Sequence, residues 1–251
     1  MPHHPFHRKL YEYLVEEIGR KIVAGDFKPG DTLPNETALC KTYDVSRGVL
    51  REATKVLTQK GLIHTRPKIG TQIQSRDQWN LFDPDILLWT LKSGDKRIFL
   101  QKVTEVRKII ESEACRYAAK RATDAEITKI QSRYDEMEAA LADADTYDYN
   151  LYLEKDMAFH TSILDACHNE LLAQIGHTMR RAVQLARKAD IRDIDIQRAT
   201  LPLHRAILDA IRTHRPEAAY GASQTMFDRI GKTIPAPDKN ESDRRDTSPP
   251  H

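Results

Sequence analysis

The sequence predicts a mainly α protein in two parts: three short N-terminal helices closed by a small β-hairpin, then a C-terminal all-α antiparallel helical bundle. Three observations carry this. Apolar residues recur at helical spacing along most of the chain. Strand signals are confined to Leu62–Thr65 and Thr71–Gln74, on either side of a Pro67–Gly70 turn. Charge divides the same way, because residues 1–76 hold 13 Lys+Arg against 8 Asp+Glu while the remainder holds 26 against 29.

The elements follow in order. Leu10, Leu14, Ile18 and Ile22 repeat at i+4 and predict an amphipathic first helix that Gly25 ends. Pro29-Gly30 forces a turn. Asn35 to Tyr43 fits a short second helix, and Asp44-Val45 turns the chain. Ser46 caps a third helix, which stops at Gly61, and the hairpin then completes a winged helix-turn-helix order. Trp79, Leu81, Phe82, Ile86, Leu87 and Trp89 are too apolar for a free linker, so residues 76–95 are expected to dock on one or both domains, with Asp83 starting a short helix. Six helices are expected beyond it. Val103, Val106, Ile110 and Ala114 mark the first, and Thr123 to Glu126 has capping-box spacing for the second. The third runs from about Tyr147 to Ala166 and the fourth follows Asn169. The fifth includes Leu203, Ile207 and Ile211, and Pro216 starts the sixth. From Pro235 onward Pro, Asp, Arg and Ser dominate. The expected organisation is a DNA-binding domain over 1–75, a connector over 76–95, a helical effector-binding domain over 96–233 and a disordered tail over 234–251.

Cys40, Cys115 and Cys167 are too widely spaced for a zinc knuckle or a disulfide framework. There is no run of about 18 apolar residues and no apolar signal core, so a cytoplasmic protein with no membrane partner is expected. His3, His4 and His7 read as a solvated terminus.

Chemistry concentrates in two places. Within 46–76, seven cations (Arg47, Arg51, Lys55, Lys60, Arg66, Lys68 and Arg76) face Glu52 alone. Arg47, Arg51 and Lys55 share one helix face while Leu50, Ala53 and Leu57 share another, so the helix can stay anchored with its cationic side in a DNA groove. An arginine there suits bidentate pairing with guanine, whereas Lys55, Arg66 and Lys68 suit phosphate. The alternative is a solvated charged face, with Arg47 paired to a neighbour such as Glu52. The second place is Asp156 and His160, four apart on one helix face, with His204 able to converge from a later helix. That set suits a divalent cation, although a D-x-x-x-H pair alone is more often a surface contact. Arg107 lies four residues before Glu111, either as a surface pair or as a buried anchor for an anion. Arg181 and Arg187 are further candidates beside Arg180 and Lys188, and His177 reads as structural or surface.

The segments L33-P-N-E, S46-R-G-V-L-R-E-A and G61-L-I resemble the DNA-binding domain of the GntR superfamily, and the helical part resembles the FCD ligand-binding domain of its FadR subfamily. The connector R76-D-Q-W-N-L-F-D-P-D-I-L-L-W resembles that of the D-galactonate-responsive group. The resemblance spans roughly residues 7–233. It implies that Ser46, Arg47 and Arg51 contact DNA. It also implies that Asp156, His160 and His204 are metal ligands and that Arg107 faces the cavity. Three departures stand out. Thr37 occupies a position often held by a phosphate-contacting arginine. Lys68 replaces a wing glycine ahead of Gly70. Met226 stands where the family carries a third ligating histidine. A thioether is a poor partner for zinc, nickel or manganese beside harder donors. Two readings therefore stay open: a metal with water or effector completing its shell, or direct contact of these residues with the effector.

The expected function is a homodimeric transcriptional regulator of operator DNA. It is expected to be a repressor released by a small carboxylate such as D-galactonate or a related aldonate, bound by Arg107, Asp156, His160, His204 and Arg181. Alternatives are a regulator answering lactate or a hexuronate product, or a metal-dependent helical enzyme fused to a DNA-binding module. Against the enzyme, no nucleophile–base pair accompanies the Asp/His set.

Overall fold

The computed structural model describes residues 5–94, 96–187 and 194–233. His3, His4, the expected tail from 234, and the side chains of His7 and Arg187 lie outside what it describes. The chain divides into two compact units, Met1–Asp95 and Lys96–His251.

The first unit is built on α1 (Pro5–Ala24), α2 (Glu36–Tyr43) and α3 (Arg47–Gln59). Local chemistry sets their ends. The Asn35 side chain accepts from Ala38 N–H at 2.9 Å, and Asp44 closes α2 in the left-handed region. Ser46 Oγ accepts from Val49 N–H at 3.3 Å and starts α3. Leu14, Ile18 and Ile22 of α1 meet Leu50, Ala53 and Leu57 of α3 in one core, whereas Leu10 stays exposed. β1 (Ile63–Arg66) and β2 (Gly70–Ile73) pair antiparallel, with Ile63 opposite Ile73 and Arg66 opposite Gly70. Each strand lies one residue closer to the turn than its sequence signal.

The connector belongs to this unit. A single 3-10 turn (Arg76–Gln78) leads to α4 (Pro84–Ser93), whose cap Asp83 accepts from the N–H groups of Asp85 and Ile86. Trp79, Ile86 and Trp89 join the core formed by α1 and α3. The fit is close at two glycines. A methyl group on Gly19 would lie 2.4 Å from the Trp89 ring. Gly61 has φ +75°, and a methyl group there would lie 2.1 Å from the Gln78 carbonyl oxygen. Leu81 and Phe82, expected as anchors, are instead exposed.

The second unit holds six helices among the described residues: α5 (Lys96–Arg121), α6 (Asp124–Ala139), α7 (Tyr149–Ala166), α8 (Glu170–Arg187), α9 (Ile194–Arg212) and α10 (Pro216–Thr233). The capping box at Thr123 and Glu126 is complete, and the Asp148 carboxylate caps α7. α5 is the central helix, packed against α7, α8, α9 and α10. Phe159, Ile163, Ile207, Ile211, Met226 and Phe227 lie in its core. The chain is therefore mainly α, with its β-structure limited to the hairpin.

Candidate functional site

The exposed cationic side of the first unit follows from the amphipathic third helix. With Val49, Leu50, Ala53 and Leu57 buried, Arg47, Arg51 and Lys55 are left on the open face. Arg51 Nε lies 3.4 Å from Glu36 Oε1 of α2, and Lys55 Nζ lies 2.8 Å from Glu52. Both pairs are well exposed, so each holds its cation only weakly. Arg66, Lys68 and Gly70 are exposed at the hairpin turn, where Lys68 itself takes φ +67° and Gly70 φ +105°. A methyl group on Gly70 would crowd Thr32 at 3.2 Å. The Ser46 hydroxyl is occupied in capping α3.

One of the seven cations does not belong to this face. Lys60 is buried, with Nζ 2.8 Å from Asp83 and 2.7 Å from Asp85, and it lies over the Trp89 ring. Burial pulls its pKa down, but the two carboxylates outweigh that and hold it above the ordinary lysine value. It pins the connector rather than reaching outward. The reason is distant in sequence, since both carboxylates sit more than twenty residues downstream.

In the second unit α7, α8, α9 and α5 bring a charged cluster into the core. Asp156 and His160 lie one turn apart on α7, and His204 arrives from α9. His160 Nε2 is 3.7 Å and His204 Nε2 is 3.3 Å from Asp156 Oδ1. The outer nitrogens are held in place. His160 Nδ1 lies 3.2 Å from Glu111 Oε2, and His204 Nδ1 donates to the Thr200 carbonyl at 3.0 Å. Phe159 packs edge-on against both imidazoles. Glu111 also accepts from Arg107 Nε at 2.6 Å and from Arg180 at 2.7 Å, and Arg180 bridges on to Asp156 at 2.8 Å. Arg107, Glu111, His160, Arg180 and His204 are all buried.

Electrostatics follows from this wiring. Burial pushes the Glu111 carboxyl up, but Arg107, Arg180 and His160 hold it well below the usual carboxylate range. Burial likewise raises Asp156, and His204, His160 and Arg180 bring it well below that range. His160 is lowered to about 4 by burial and by Arg180, against the pull of Glu111 and Asp156. The neutral ring is the form a metal requires.

The donor set fits a divalent cation. His160 turns Nδ1 to Glu111, so its neutral ring points a bare Nε2 lone pair toward the Asp156 carboxylate. Facing lone pairs need a proton or a metal ion between them. The three ligand atoms lie within 4.8 Å of one another. Ligand bonds of about 2.1 Å place neighbouring donors roughly 3.0–3.4 Å apart, which the 3.3 Å His204–Asp156 spacing meets and the 3.7 Å His160–Asp156 spacing approaches. The Glu111–His160 pair is the outer support that metal-bound histidines ordinarily have. Met226 is wholly buried in the apolar core of the unit.

The cluster borders a cavity of about 40 Å³, room for a few waters at roughly 10–15 Å³ each. Arg107, Asp156, His160 and His204 line it, with Tyr149, Tyr152, Gln197, Thr200 and Arg229. Arg181 is exposed and is not part of this group, whereas its neighbour Arg180 is 1% exposed and central to it. Adjacent helical residues point about 100° apart, so only one of the pair can turn inward. His177 is a surface contact of Asp165.

The buried neutral imidazole makes stability depend on pH. Its folded pKa of about 4 lies below the unfolded 6.5, so the unfolded chain alone takes up a proton in between. The contribution is complete above 6.5 and is lost as pH falls toward 4, by up to about 3 kcal/mol. Urea unfolding of chelator-treated protein across that window should show the fall, and His160→Gln should flatten it. An equally steep profile in the variant would mean that another group is responsible.

Comparison with known proteins identifies the two units. Residues 10–73 match the family of bacterial regulatory proteins named gntR, and residues 102–229 match the FCD domain. The chain is 33% identical over 217 residues to the galactonate operon transcriptional repressor of Escherichia coli strain K12, covering 85% of this chain and 92% of that one. It is 30% identical to the uncharacterised regulator YieP of the same organism, over 88% and 93%. In fold it resembles Lar, which controls the agr system of Listeria monocytogenes, with a TM-score of 0.56 at 19% identity over 92% and 97% of the two chains. Among the described residues no helix is long and apolar enough to cross a membrane. A helix-turn-helix unit for operator DNA and an FCD unit for a small-molecule effector make this chain a transcriptional regulator rather than an enzyme, and it belongs to the GntR family.

Proposed function

We propose that this chain is a cytoplasmic, homodimeric repressor that leaves its operator when a small sugar acid, D-galactonate or a related aldonate, enters the second unit. The observation that carries the reading is Arg107, buried at the cavity wall beside the Asp156–His160–His204 group. A buried guanidinium next to hydroxyl- and amide-bearing walls suits a ligand with one carboxylate and several hydroxyls. Tyr149, Tyr152, Gln197 and Thr200 provide those walls. The relative at 33% identity is named for a galactonate operon, which supports the aldonate class.

Asp156, His160 and His204 would hold one divalent ion, with zinc, nickel and manganese as candidates. Such an ion supplies a positive Lewis-acid centre for an anionic oxygen. The protein's own part is to orient the acid. Arg107 receives the carboxylate, Glu111 and Arg180 keep that arginine and His160 in place, and the polar walls take the hydroxyls. The acid exceeds the present cavity, so its entry favours an arrangement in which the surrounding helices part. Operator release follows if that arrangement binds DNA less well. The Trp79–Trp89 connector is the segment proposed to pass the change to the first unit.

The test is release of labelled operator by D-galactonate, lactate and a hexuronate product, each with and without chelator. D-galactonate is expected to act best, and chelator to weaken it. Arg107→Ala should bind operator normally yet resist release by at least about tenfold in acid concentration, the equivalent of one lost charge-assisted contact of about 1.5–3 kcal/mol. Normal release by the variant would take Arg107 out of recognition.

A further inference from the structure

Resting on the reading of this cavity as the effector's site, we infer that residues 194–201, the first part of α9, are a hinged cover over it, with Pro202 as the hinge and Arg198 as the catch. Proline has no N–H, so at 202 the helix cannot bond the Arg198 carbonyl four residues back, and the ring crowds that same carbonyl. The cavity is divided at this weak point. Ile196, Gln197 and Thr200 line it before Pro202, and His204 lines it after. Packing divides in the same place. Beyond the proline, Ile207, Leu208 and Ile211 are wholly buried in the core, whereas before it Ile194 and Leu201 are only partly buried. Ile196 is 38% exposed at the rim, and His204 is 3% exposed at the floor. The remaining walls are held more firmly. Tyr149 and Tyr152 belong to the core with Leu153 and Phe159, and α10 packs along α5 and α9.

Arg198 supplies the catch. Its Nε and Nη2 donate to the Leu141 carbonyl at 2.9 and 2.8 Å, and Nη2 also donates to the Ala142 carbonyl at 3.0 Å. Both carbonyls lie just past the C-terminus of α6, the negative end of that helix. The half-buried guanidinium therefore closes 194–201 over the cavity without a buried carboxylate, and water can replace these bonds when the cover lifts. Lifting also reaches the floor of the site. The Thr200 carbonyl, before the hinge, accepts from His204 Nδ1 beyond it at 3.0 Å. A swing at Pro202 thus opens the rim and withdraws the support of the imidazole that faces Asp156. A ligand too large for the closed cavity enters by this route, and its entry is coupled to the orientation of His204.

The test combines amide hydrogen exchange with diethylpyrocarbonate labelling of histidines, on the full, chelator-treated chain with no effector present. The exposed His168 is the internal reference for the reagent. In the wild type, amides of 194–201 should exchange faster than those of 205–211. Arg198→Ala should raise both exchange over 194–201 and labelling of His204 by about tenfold or more, the equivalent of one lost charge-assisted bond. Exchange over 205–211 and labelling of His168 should stay unchanged. Pro202→Ala gives the Arg198 carbonyl a donor and should slow both readouts, and it decides the matter if Arg198→Ala loosens the whole unit. Equal exchange on the two sides of position 202 in wild type and Pro202→Ala alike would overturn the hinge. No response to Arg198→Ala would overturn the catch. Faster exchange without faster His204 labelling would mean that 194–201 does not cover the cavity. No acid is used, so each of these failures is distinct from a failure of acids to release the operator.

Discussion

Glu111→Ala is expected to destabilise the second unit by about 3–5 kcal/mol, the usual cost of removing one partner from a buried ionic group. Glu111 is 2% exposed and receives Arg107 Nε, Arg180 and the His160 ring. Its loss removes the carboxylate that two buried guanidinium groups share. Glu111→Gln keeps the shape and one accepting oxygen, so it should cost less than alanine. Chemical denaturation that follows the second unit would measure both. A change under about 1 kcal/mol for alanine would mean that water enters the cluster freely and that the carboxylate is not structural. The same variant should weaken effector binding, since Glu111 holds both Arg107 and His160.

Arg51→Ala is expected to abolish the preference for operator over random DNA while leaving stability untouched. Its side chain is 67% exposed and pairs with the Glu36 carboxylate. A bidentate guanine contact is worth about 1–3 kcal/mol of discrimination in each half-site. Lys55→Ala and Lys68→Ala make a useful contrast. They should weaken binding to all sequences alike and reduce the salt dependence by about one ion each. Operator and random-DNA affinities measured over a salt series would separate the classes. An unchanged preference in Arg51→Ala would remove its base-reading role.

Local signals were legible in the sequence. Asn35, Ser46, Asp83 and Thr123 satisfy helix N-termini within three residues of themselves, so spacing alone located those ends. Helical periodicity found the bundle, and one proline–glycine turn found the hairpin. Direction was not legible where it depends on distant packing. Arg180 and Arg181 are chemically alike in sequence, and only the approach of Glu111, 69 residues earlier, decides which one faces inward. Lys60 reads as part of a basic run until Asp83 and Asp85 fold back onto it. Leu81 and Phe82 share the composition of Trp79 and Trp89 but not their fate, because the chain turns between them. Nothing in the sequence marked Tyr149, Tyr152, Gln197, Thr200 or Arg229 as cavity walls. They lie on three helices, and the three-residue step within the α7 pair and within the α9 pair is that of any helix face.

Both tryptophans of the chain, Trp79 and Trp89, stand in the connector and pack into the first unit. The second unit has none. Intrinsic indole fluorescence of the unmodified protein is therefore blind to the pocket itself. Any shift in emission when an acid is added is a change at the connector, and the Trp89 indole donating to Glu16 at 2.8 Å is a polarity-sensitive place for it to register. The chain carries its own optical reporter of the first unit's response, with no label required.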